Sequence, residues 1–597
     1  MNNIPERKDL NTEETWAIED LFPTDEAWKE AFEQAKAYPE RLSAFQGKLG
    51  ESAETLLDFF RLGDEMSLCF DPLVHYVMRR GDEDTRVDRY QSMTAQLMYL
   101  LNQLNAAGSF ETNELLAIPD ETLEQFYAQC PELTLYRRRL DSVRRKRAHI
   151  LSPAEEKLLA QAGQLSDIPE NTFSMLNDAD LTFPDAVDAN GESHTLTHGT
   201  YIPMMQGQDR ALRKSAFEQL YGVYKQFRNV SAAALAGQFK TLWFFAQARN
   251  YPSALAAALD GTEVPESVYH NLIEAVHQNL PAMHRYVRLR KELMGVDELH
   301  FYDLYAPIVQ NVEFKVEFEA AKELTRKALA PLGEEYLSIL EQGYQNRWID
   351  VRENAGKRSG AYSAGARVHP YVLLNYHDTL NDAFTLIHEM GHSLHSYYSN
   401  ACQPTVYSDY VIFVAEVAST CNEALLMSYL LQVTEDKAKR AYLINYFLEQ
   451  FRTTLYRQTM FAEFELALSE LAQKGEGITA DTCNQIYRDL NRQYFGEDIV
   501  LDEEIALEWA RIPHFYYDFY VYQYATGYAA AIALSRRILS GEPGAVEDYL
   551  GFLKGGCSKP PIELLKGAGV DMSTAQPVNE ALKLFDELIS QMEELGR

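Results

Sequence analysis

The chain has 597 residues, 46% of them hydrophobic and 24% charged, so we expect two or more lobes or one large elongated domain. Its formal net charge of −33 disfavours binding to nucleic acid or to an anionic membrane surface. We expect a reducing, cytoplasmic location, because the six cysteines are scattered, no apolar run could span a membrane, and MNNIPERKDLNTEETW lacks the apolar core of a secretory signal.

Most of the sequence predicts amphipathic helices, because apolar residues recur at helical spacing. The clearest predicted helices span residues 25–38, 82–104, 152–162, 208–250 and 317–330. We expect more than one helix over 208–250. The sequence therefore predicts a mainly α fold.

A β-hairpin interrupts the helical pattern in the segment LTFPDAVDANGESHTLTHGTYI. Asn190-Gly191 lies there between two β-prone stretches, which is typical of a tight hairpin turn. We interpret the hairpin as a seam. It separates an N-terminal helical region, residues 1–195, from a catalytic region, residues 196–597.

A second interruption is the glycine-rich segment GKRSGAYSAG, which precedes a β-prone run over 367–376. The sequence predicts a loop that leads into a strand. The glycines lack the G-x-x-x-x-G-K-[ST] spacing of a phosphate-binding loop, and the strand follows the loop instead of preceding it. Nucleotide binding is therefore disfavoured.

The segment TLNDAFTLIHEMGHSLHSYYS predicts a helix that carries a metal-binding motif. Thr379 and Asp382 form a capping pattern at its start, and apolar residues follow at helical spacing. His388 and His392 are four residues apart, so both imidazoles project from one face of the helix. This geometry is typical of two zinc ligands.

Glu389 follows the first histidine and lies about 100° round the helix, close to the metal but poorly directed for ligation. We expect Glu389 to act as the general base. Zinc lowers the pKa of water toward about 7, and a neighbouring carboxylate can accept the proton as that water attacks a peptide carbonyl carbon.

A catalytic zinc ion needs a third protein ligand and an open fourth position. Glu416 lies in the apolar segment DYVIFVAEVASTCNEALLMSYLL, far enough beyond His392 for a turn and an antiparallel return. We expect Glu416 to be this ligand, and an ordinary exposed helix carboxylate is the alternative. We expect Glu423, seven residues further on, either to accept a hydrogen bond from a ring N–H of a ligating histidine or to form a plain salt bridge. His395 shares the ligand face, but we expect it to support the site or simply to be buried.

The segment RIPHFYYDFYVYQYATG is unusually aromatic and predicts the start of a helix. On that helix His514, Tyr517 and Tyr524 would share one stripe, flanked by Tyr520 and Tyr528. A stripe of hydroxyls and an imidazole suits stabilisation of the negative charge that develops on a carbonyl oxygen during hydrolysis. A packed aromatic core is the alternative.

Together, HEMGHSLH, FVAEVASTCNE and IPHFYYDFYVYQYATG resemble the thimet oligopeptidase and oligoendopeptidase F family, most closely its oligoendopeptidase F branch. WAIEDLFPTDEAW and GKRSGAYSAG are also similar to that branch. The resemblance implies two helical lobes flanking a deep channel, a small β element near the zinc site, and oligopeptide substrates. It also implies that the strand over 367–376 is an edge strand, which could pair with substrate backbone.

The resemblance carries over residue by residue. It implies that one Zn²⁺ per chain is held by His388, His392 and Glu416, with Glu389 as general base. His514, Tyr517 and Tyr524 best match the family's substrate-contacting histidine and tyrosines, although the spacing of the first two is shorter here and Val521 replaces a further tyrosine.

The leading hypothesis is a zinc endopeptidase that cleaves oligopeptides. Within enzymes, the alternative is a zinc carboxypeptidase. From a different class, the alternative is a peptide-binding protein without catalysis, which would have no need of Glu389 beside the metal. The sequence carries no signal for an oligomeric state.

Overall fold

A computed structural model describes residues 4–309, 312 and 314–596. The chain forms two compact units from alternating stretches. Unit 1 comes from Met1–Ala148, Phe314–Tyr429 and Leu534–Gly569, and unit 2 from His149–Glu313, Leu430–Ala533 and Val570–Arg597. These boundaries differ from the predicted seam, because residue 195 lies inside the first stretch of unit 2. The division at residue 195 stays a prediction.

The described residues are mainly helical, with a few short strands. The helices of the first half are α1 Asp25–Ala35, α2 Tyr38–Ser43, α3 Ala53–Glu83, α4 Asp88–Ala107, α5 Glu111–Ala117, α6 Asp120–Gln129, α7 Arg137–Arg145, α8 Pro153–Ala162, α9 Ile168–Ser174, α10 His198–Met205, α11 Arg210–Ala248, α12 Ala254–Asp260, α13 Glu266–Gln278 and α14 Leu280–Met294. Those of the second half are α15 Phe318–Leu329, α16 Gly333–Gln345, α17 Leu380–Cys402, α18 Ile412–Val433, α19 Lys437–Gln450, α20 Arg457–Lys474, α21 Ala480–Phe495, α22 Tyr522–Leu539, α23 Ala545–Leu553, α24 Pro561–Gly567 and α25 Gln576–Gly596. The mainly α fold predicted from the sequence is confirmed.

Two predicted helices differ from the observed ones. The stretch over 208–250 is the single helix α11, capped by Asp209, whose carboxylate accepts hydrogen bonds from the backbone N–H groups of Ala211 (2.8 Å) and Leu212 (3.1 Å). The helix predicted over 82–104 is wrong at its start, because α3 continues through Glu83 and α4 begins at Asp88. Asp84 interrupts the pattern by accepting a hydrogen bond from the backbone N–H two residues later (3.0 Å), a local bond that competes with helix formation.

The strands are β1 Ala186–Val187, β2 Ser193–His194, β3 Leu299–His300, β4 Ile349–Asp350, β5 Tyr362–Ala364, β6 Tyr371–Leu373 and β7 Ile499–Val500. β1 and β2 pair antiparallel around Asn190-Gly191, so the predicted hairpin is confirmed. Gly191 adopts a φ of 84°, a left-handed conformation that glycine reaches without strain. β3 and β7 form a parallel pair in unit 2.

The predicted edge strand is the one β element that the sequence misplaced. β6 is the central strand of a three-stranded sheet in unit 1, parallel to β4 on one side and antiparallel to β5 on the other. Its backbone groups are therefore already paired on both sides. β5, from the predicted glycine-rich loop, lies at the edge instead. The two-residue strand β4 has no period-two pattern that could have announced this pairing.

Unit 1 has a large aromatic core, in which Trp16, Trp28 and Phe60 are almost fully buried. β6 contributes Tyr371 and Leu373 to the same core, which anchors the sheet. Among the described residues, no helix is both long enough and apolar enough to cross a membrane.

Candidate metal centre

Helix α17 starts with the predicted capping box. The Thr379 hydroxyl accepts a hydrogen bond from the backbone N–H of Asp382 (3.2 Å), and the Asp382 carboxylate accepts one from the backbone N–H of Thr379 (2.9 Å). The cap fixes where the helix begins. The H-E-x-x-H motif therefore lies within one continuous helix.

Three side chains from α17 and α18 converge at one point of unit 1. The Nε2 atoms of His388 and His392 are 3.1 Å apart. The Glu416 Oε2 atom lies 3.4 Å from the first nitrogen and 3.6 Å from the second. Among the described residues, this is the group of histidine, cysteine or acidic donors that could hold a metal ion, with all ligand atoms within 4.8 Å of one another.

The close approach of α18 to α17 depends on Gly391. A Cβ atom at this position would lie 2.5 Å from the Cα atom of Ser419 and 2.9 Å from the carbonyl oxygen of Ala418, distances that two helices cannot accept. Asn422 strengthens the contact. Its side-chain amide donates to the Ile387 carbonyl (3.3 Å) and its oxygen accepts the Tyr336 hydroxyl (3.1 Å).

Glu423 lies on the other side of His388 and contacts its Nδ1 atom at hydrogen-bond distance. This contact orients the ring so that Nε2 points toward Glu416. Burial would lower the pKa of His388, but hydrogen bonds to Glu416 and Glu423 outweigh it and raise the pKa to about 10. Burial would raise the pKa of Glu416, but hydrogen bonds to His388 and His392 hold it well below its usual range.

Glu389 is 7% exposed, and its Oε2 atom is buried without a hydrogen-bond partner in the described part of the chain. Burial is the main cause that raises the pKa of this carboxyl group, despite the two neighbouring histidines. An orphaned carboxylate oxygen next to the converging donors is what a site for water and a metal ion would contain. The donor set, two imidazoles and one carboxylate, fits a zinc ion.

His395 is not among the converging donors. Its ring is buried and stacks on Tyr410 with ring centroids 3.8 Å apart. Burial, with a contribution from His392, lowers the pKa of His395 to about 3. It is a neutral packing residue behind the ligands.

The edge strand β5 runs beside α17. The Ser363 and Ser393 hydroxyls are 2.8 Å apart, and a Cβ at Gly365 would lie 2.5 Å from the Ser396 hydroxyl oxygen. The glycine therefore lets the backbone of this segment approach the helix closely. A strand with one unpaired edge thus lies along the helix that carries both histidines.

His514, Tyr517 and Tyr524 lie in unit 2, where they gather with Tyr520 into what we call the aromatic cluster. The ring centroid of His514 lies 5.6 Å from that of Tyr517, 5.9 Å from that of Tyr524 and 6.4 Å from that of Tyr520. Tyr517 is 44% exposed. Burial lowers the pKa of His514, and the nearby Arg457 adds to the effect, so the imidazole is neutral at pH 7.

The backbone of the aromatic cluster is not the helix that the sequence predicted. α22 begins only at Tyr522, and it is preceded by a short 3-10 helix over Pro513–Tyr516 and then a bend. Asp518 and Phe519 have φ values of 53° and 59°, so the chain leaves the right-handed helical region. Gln238 holds this bend by donating to the Tyr516 carbonyl (3.2 Å) and the Asp518 carboxylate (3.0 Å).

Two models of known protein families match the chain. The model of peptidase family M3 matches residues 203–584, and a model described as oligopeptidase F matches residues 114–183. The chain belongs to peptidase family M3. The metalloendopeptidase class predicted from the sequence is confirmed by this membership.

Relatives and solved structures of the M3 peptidase match it over nearly its full length. Oligopeptidase PepF of Bacillus subtilis is 47% identical over 595 residues, covering 100% of this chain and 89% of that protein. The crystal structure of oligoendopeptidase-F from Enterococcus faecium is 38% identical with a TM-score of 0.73, covering 96% and 98% of the two chains. A crystallised protein of Chlamydophila abortus is 35% identical with a TM-score of 0.94, covering 99% and 100%.

Sequence reasoning missed two residues that build the metal centre of this M3 peptidase. Gly391 sits inside the H-E-x-x-H motif, and a glycine within a helix is itself a signal of close packing. Asn422, fully buried beside Glu423, ties α18 to α17. A buried amide in an apolar helix could have been recognised as a packing contact, but its partner could not.

Proposed function

We propose that this M3 peptidase is a zinc-dependent endopeptidase that hydrolyses oligopeptides. One zinc ion per chain would be held by His388, His392 and Glu416. The convergence of these three donors on one point is the observation that carries the proposal. The names of the relatives, among them oligopeptidase PepF, support oligopeptides as the substrate class.

Glu389 is the general base in this proposal. A zinc ion bound at the site supplies Lewis-acid chemistry that acidifies water and polarises a carbonyl group. The Glu389 carboxylate accepts the proton of the attacking water and then transfers it to the leaving amine nitrogen. Its burial raises its pKa, which makes it a stronger base and a competent acid.

Glu423 keeps His388 in position. By accepting the Nδ1–H of the imidazole, it leaves the Nε2 lone pair free to bind a metal and makes the ring more basic. This contact favours the supporting role predicted for Glu423 over that of an independent surface salt bridge.

His514, Tyr517 and Tyr524 supply hydrogen-bond donors to the developing oxyanion. Their clustering in unit 2 and the exposure of Tyr517 support the role, because the donors are close together and one of them is accessible to a ligand. The edge strand β5 takes the place proposed for the strand over 367–376. Its unpaired edge can hydrogen-bond to the backbone of a peptide without selecting side chains.

A cytoplasmic location is part of the proposal. None of the six cysteines is in a disulfide bond, and the exposed Cys402 would be open to oxidation in an extracellular setting.

The substitution Glu389→Gln tests the mechanism. We expect kcat to fall by about 10²–10⁴ while the zinc content stays at one per chain, because the amide cannot accept the proton but leaves the ligands in place. Glu319→Gln is the matched control, since this carboxylate on α15 is 79% exposed. Full activity of Glu389→Gln would refute the general-base assignment.

The substrate class is tested with a peptide acetylated at its N-terminus and amidated at its C-terminus. An endopeptidase cuts this peptide internally, and mass spectrometry then identifies the two fragments. A zinc carboxypeptidase would leave it intact. A chelator should abolish cleavage, and added zinc should restore it.

A further inference from the structure

A small cavity inside unit 2 has strongly basic walls. The guanidinium groups of Arg452, Arg457 and Arg511 line it, together with the phenol groups of Tyr201, Tyr221 and Tyr305 and the carboxylate of Glu508. The space open to water-sized groups is about 20 Å³, which is room for one or two such groups. A peptide or a nucleotide is far too large for it.

The carboxylates near the cavity are shared between several donors. Glu449 accepts two hydrogen bonds from Arg452, at 3.0 Å and 2.6 Å, and also pairs with Arg290 at 3.2 Å. Glu508 pairs with Arg457 at 2.6 Å and accepts the hydroxyl of Tyr487 at 2.5 Å. Each of the two carboxylates is thus already committed to an arginine.

Arg511 is the arginine without an ionic partner. Within the part of the chain that the structure describes, it has no ion pair at 4.0 Å or less. Its Nε atom is buried and makes no hydrogen bond among those residues. Its guanidinium packs over the ring of Tyr201, 5.1 Å from the centroid, and Glu508 acts on it only at longer range.

Three arginines and one glutamate therefore line the cavity, and Arg290 and Glu449 form a further pair next to Arg452. Burying a cation without a counterion is costly, and the cost falls sharply when an anion accepts its hydrogen bonds. A single water molecule would fit by volume but would leave the two excess positive charges unbalanced.

We propose that this cavity is a binding site for a small monovalent inorganic anion, with chloride as the occupant. The anion accepts hydrogen bonds from Arg511 and from a neighbouring guanidinium, and the neutral phenol groups of Tyr201 and Tyr221 line the same space. Burial raises the pKa of both tyrosines, so both keep their protons. All of the residues that line the site belong to unit 2.

The unfolding midpoint of the full, zinc-loaded chain tests the proposal. Sodium chloride is exchanged for sodium gluconate at constant ionic strength, because gluconate is too large for the cavity. Chloride should raise the midpoint by roughly 1–3 °C, since a ligand that binds the folded state stabilises it. Arg511→Met should lose this increment.

Arg285→Met is the matched control. Arg285 also lies in unit 2, but it is partly exposed and paired with Glu593 at 2.7 Å and Asp586 at 2.8 Å. This variant should keep the full response to chloride. An increment that persists in Arg511→Met, or an equal midpoint of the native chain in chloride and gluconate, would overturn the proposal.

Bromide provides a second measurement that needs no variant. Crystals of the native protein soaked in sodium bromide should give an anomalous peak inside the cavity, at hydrogen-bond distance from Arg511. If bromide appears only at surface positions, the cavity is not an anion site. This outcome decides the question even if Arg511→Met fails to fold.

Discussion

The metal centre of unit 1 and the aromatic cluster of unit 2 reach their geometry by opposite routes. His388 and His392 project from an uninterrupted helix, so a spacing of four residues becomes two nitrogen atoms 3.1 Å apart. His514 lies in a short 3-10 helix and Tyr517 at its end, both before α22 begins at Tyr522. Residue spacing therefore predicts the positions of side chains only where the backbone is regular.

Substitution of Gly391 by alanine should have the largest effect on the regular half of this comparison. The added Cβ would lie 2.5 Å from the Cα of Ser419, so α18 must move away and carry Glu416 with it. We expect loss of bound zinc and of nearly all activity, with a destabilisation of about 1–3 kcal/mol from overpacking. Metal analysis and peptide cleavage measure the outcome.

Gly63→Ala in α3 is the control for this substitution. A Cβ at Gly63 would have no atom within 4 Å, so alanine should stabilise the helix by about 0.5–1 kcal/mol. If Gly391→Ala keeps its zinc and activity, the packing of α17 on α18 does not position the third ligand.

The second prediction concerns the irregular half. Replacing Tyr517 or Tyr524 by phenylalanine should lower kcat by about 10²–10³ with little change in KM, because the lost hydroxyl acts on the transition state. Tyr516→Phe is the control, since its ring is buried and stacked on Phe173 with centroids 4.8 Å apart. Unchanged kcat in both variants would leave the cluster as packing alone.

The third prediction concerns the contact between Glu423 and His388. Glu423→Gln should weaken zinc binding about 10–100-fold, because the amide is a poorer acceptor for the Nδ1–H of His388. Titration with a competing chelator measures the affinity. Glu563→Gln, in the first turn of α24, serves as a control. A variant with native zinc affinity would show that the ring is held by packing.

Much of the fold and of the metal centre could be predicted from the sequence. Helical periodicity and the cap at Thr379 gave α17 its start and put both histidines on one face. Glu416 could be predicted because a carboxylate in an apolar helix needs a partner. These inferences rely on local rules, which act within a few residues of chain.

The remainder depends on contacts between distant segments. The position of β6 within its sheet is set by pairing with β4, about twenty residues earlier, which has no pattern of its own. Asp518 and Phe519 both adopt left-handed conformations, which aspartate enters more often than most residues but a bulky phenylalanine rarely does, so this bend has no clear signal in the sequence. The arginines around the proposed anion site come from separate helices and turns. The excess of arginines over carboxylates there is therefore visible only in three dimensions.

The last prediction concerns the stability of the protein near the aromatic cluster. Glu465 in α20 is 1% exposed, and both of its carboxylate oxygens are buried without a hydrogen bond among the described residues. Burial raises the pKa of Glu465 well above its usual range, although the backbone N–H of Phe519 acts in the opposite direction. A buried carboxyl group that is most stable when protonated thus lies beside the bend of the cluster.

The sign of the pH dependence follows from this shift. The folded state holds the proton more tightly than the unfolded state, so the stabilisation is complete below about pH 4.5 and is lost as the pH rises toward the folded pKa. Glu465→Gln, which is neutral at every pH, should gain stability relative to the native chain as the pH rises from about 4.5 toward the folded pKa, by up to about 1.4 kcal/mol per pH unit. Denaturant unfolding at several pH values measures the difference. Glu470→Gln on the exposed face of the same helix should show no such trend, and a pH-independent difference for Glu465→Gln would mean that the carboxyl group is ionised and stabilised in place.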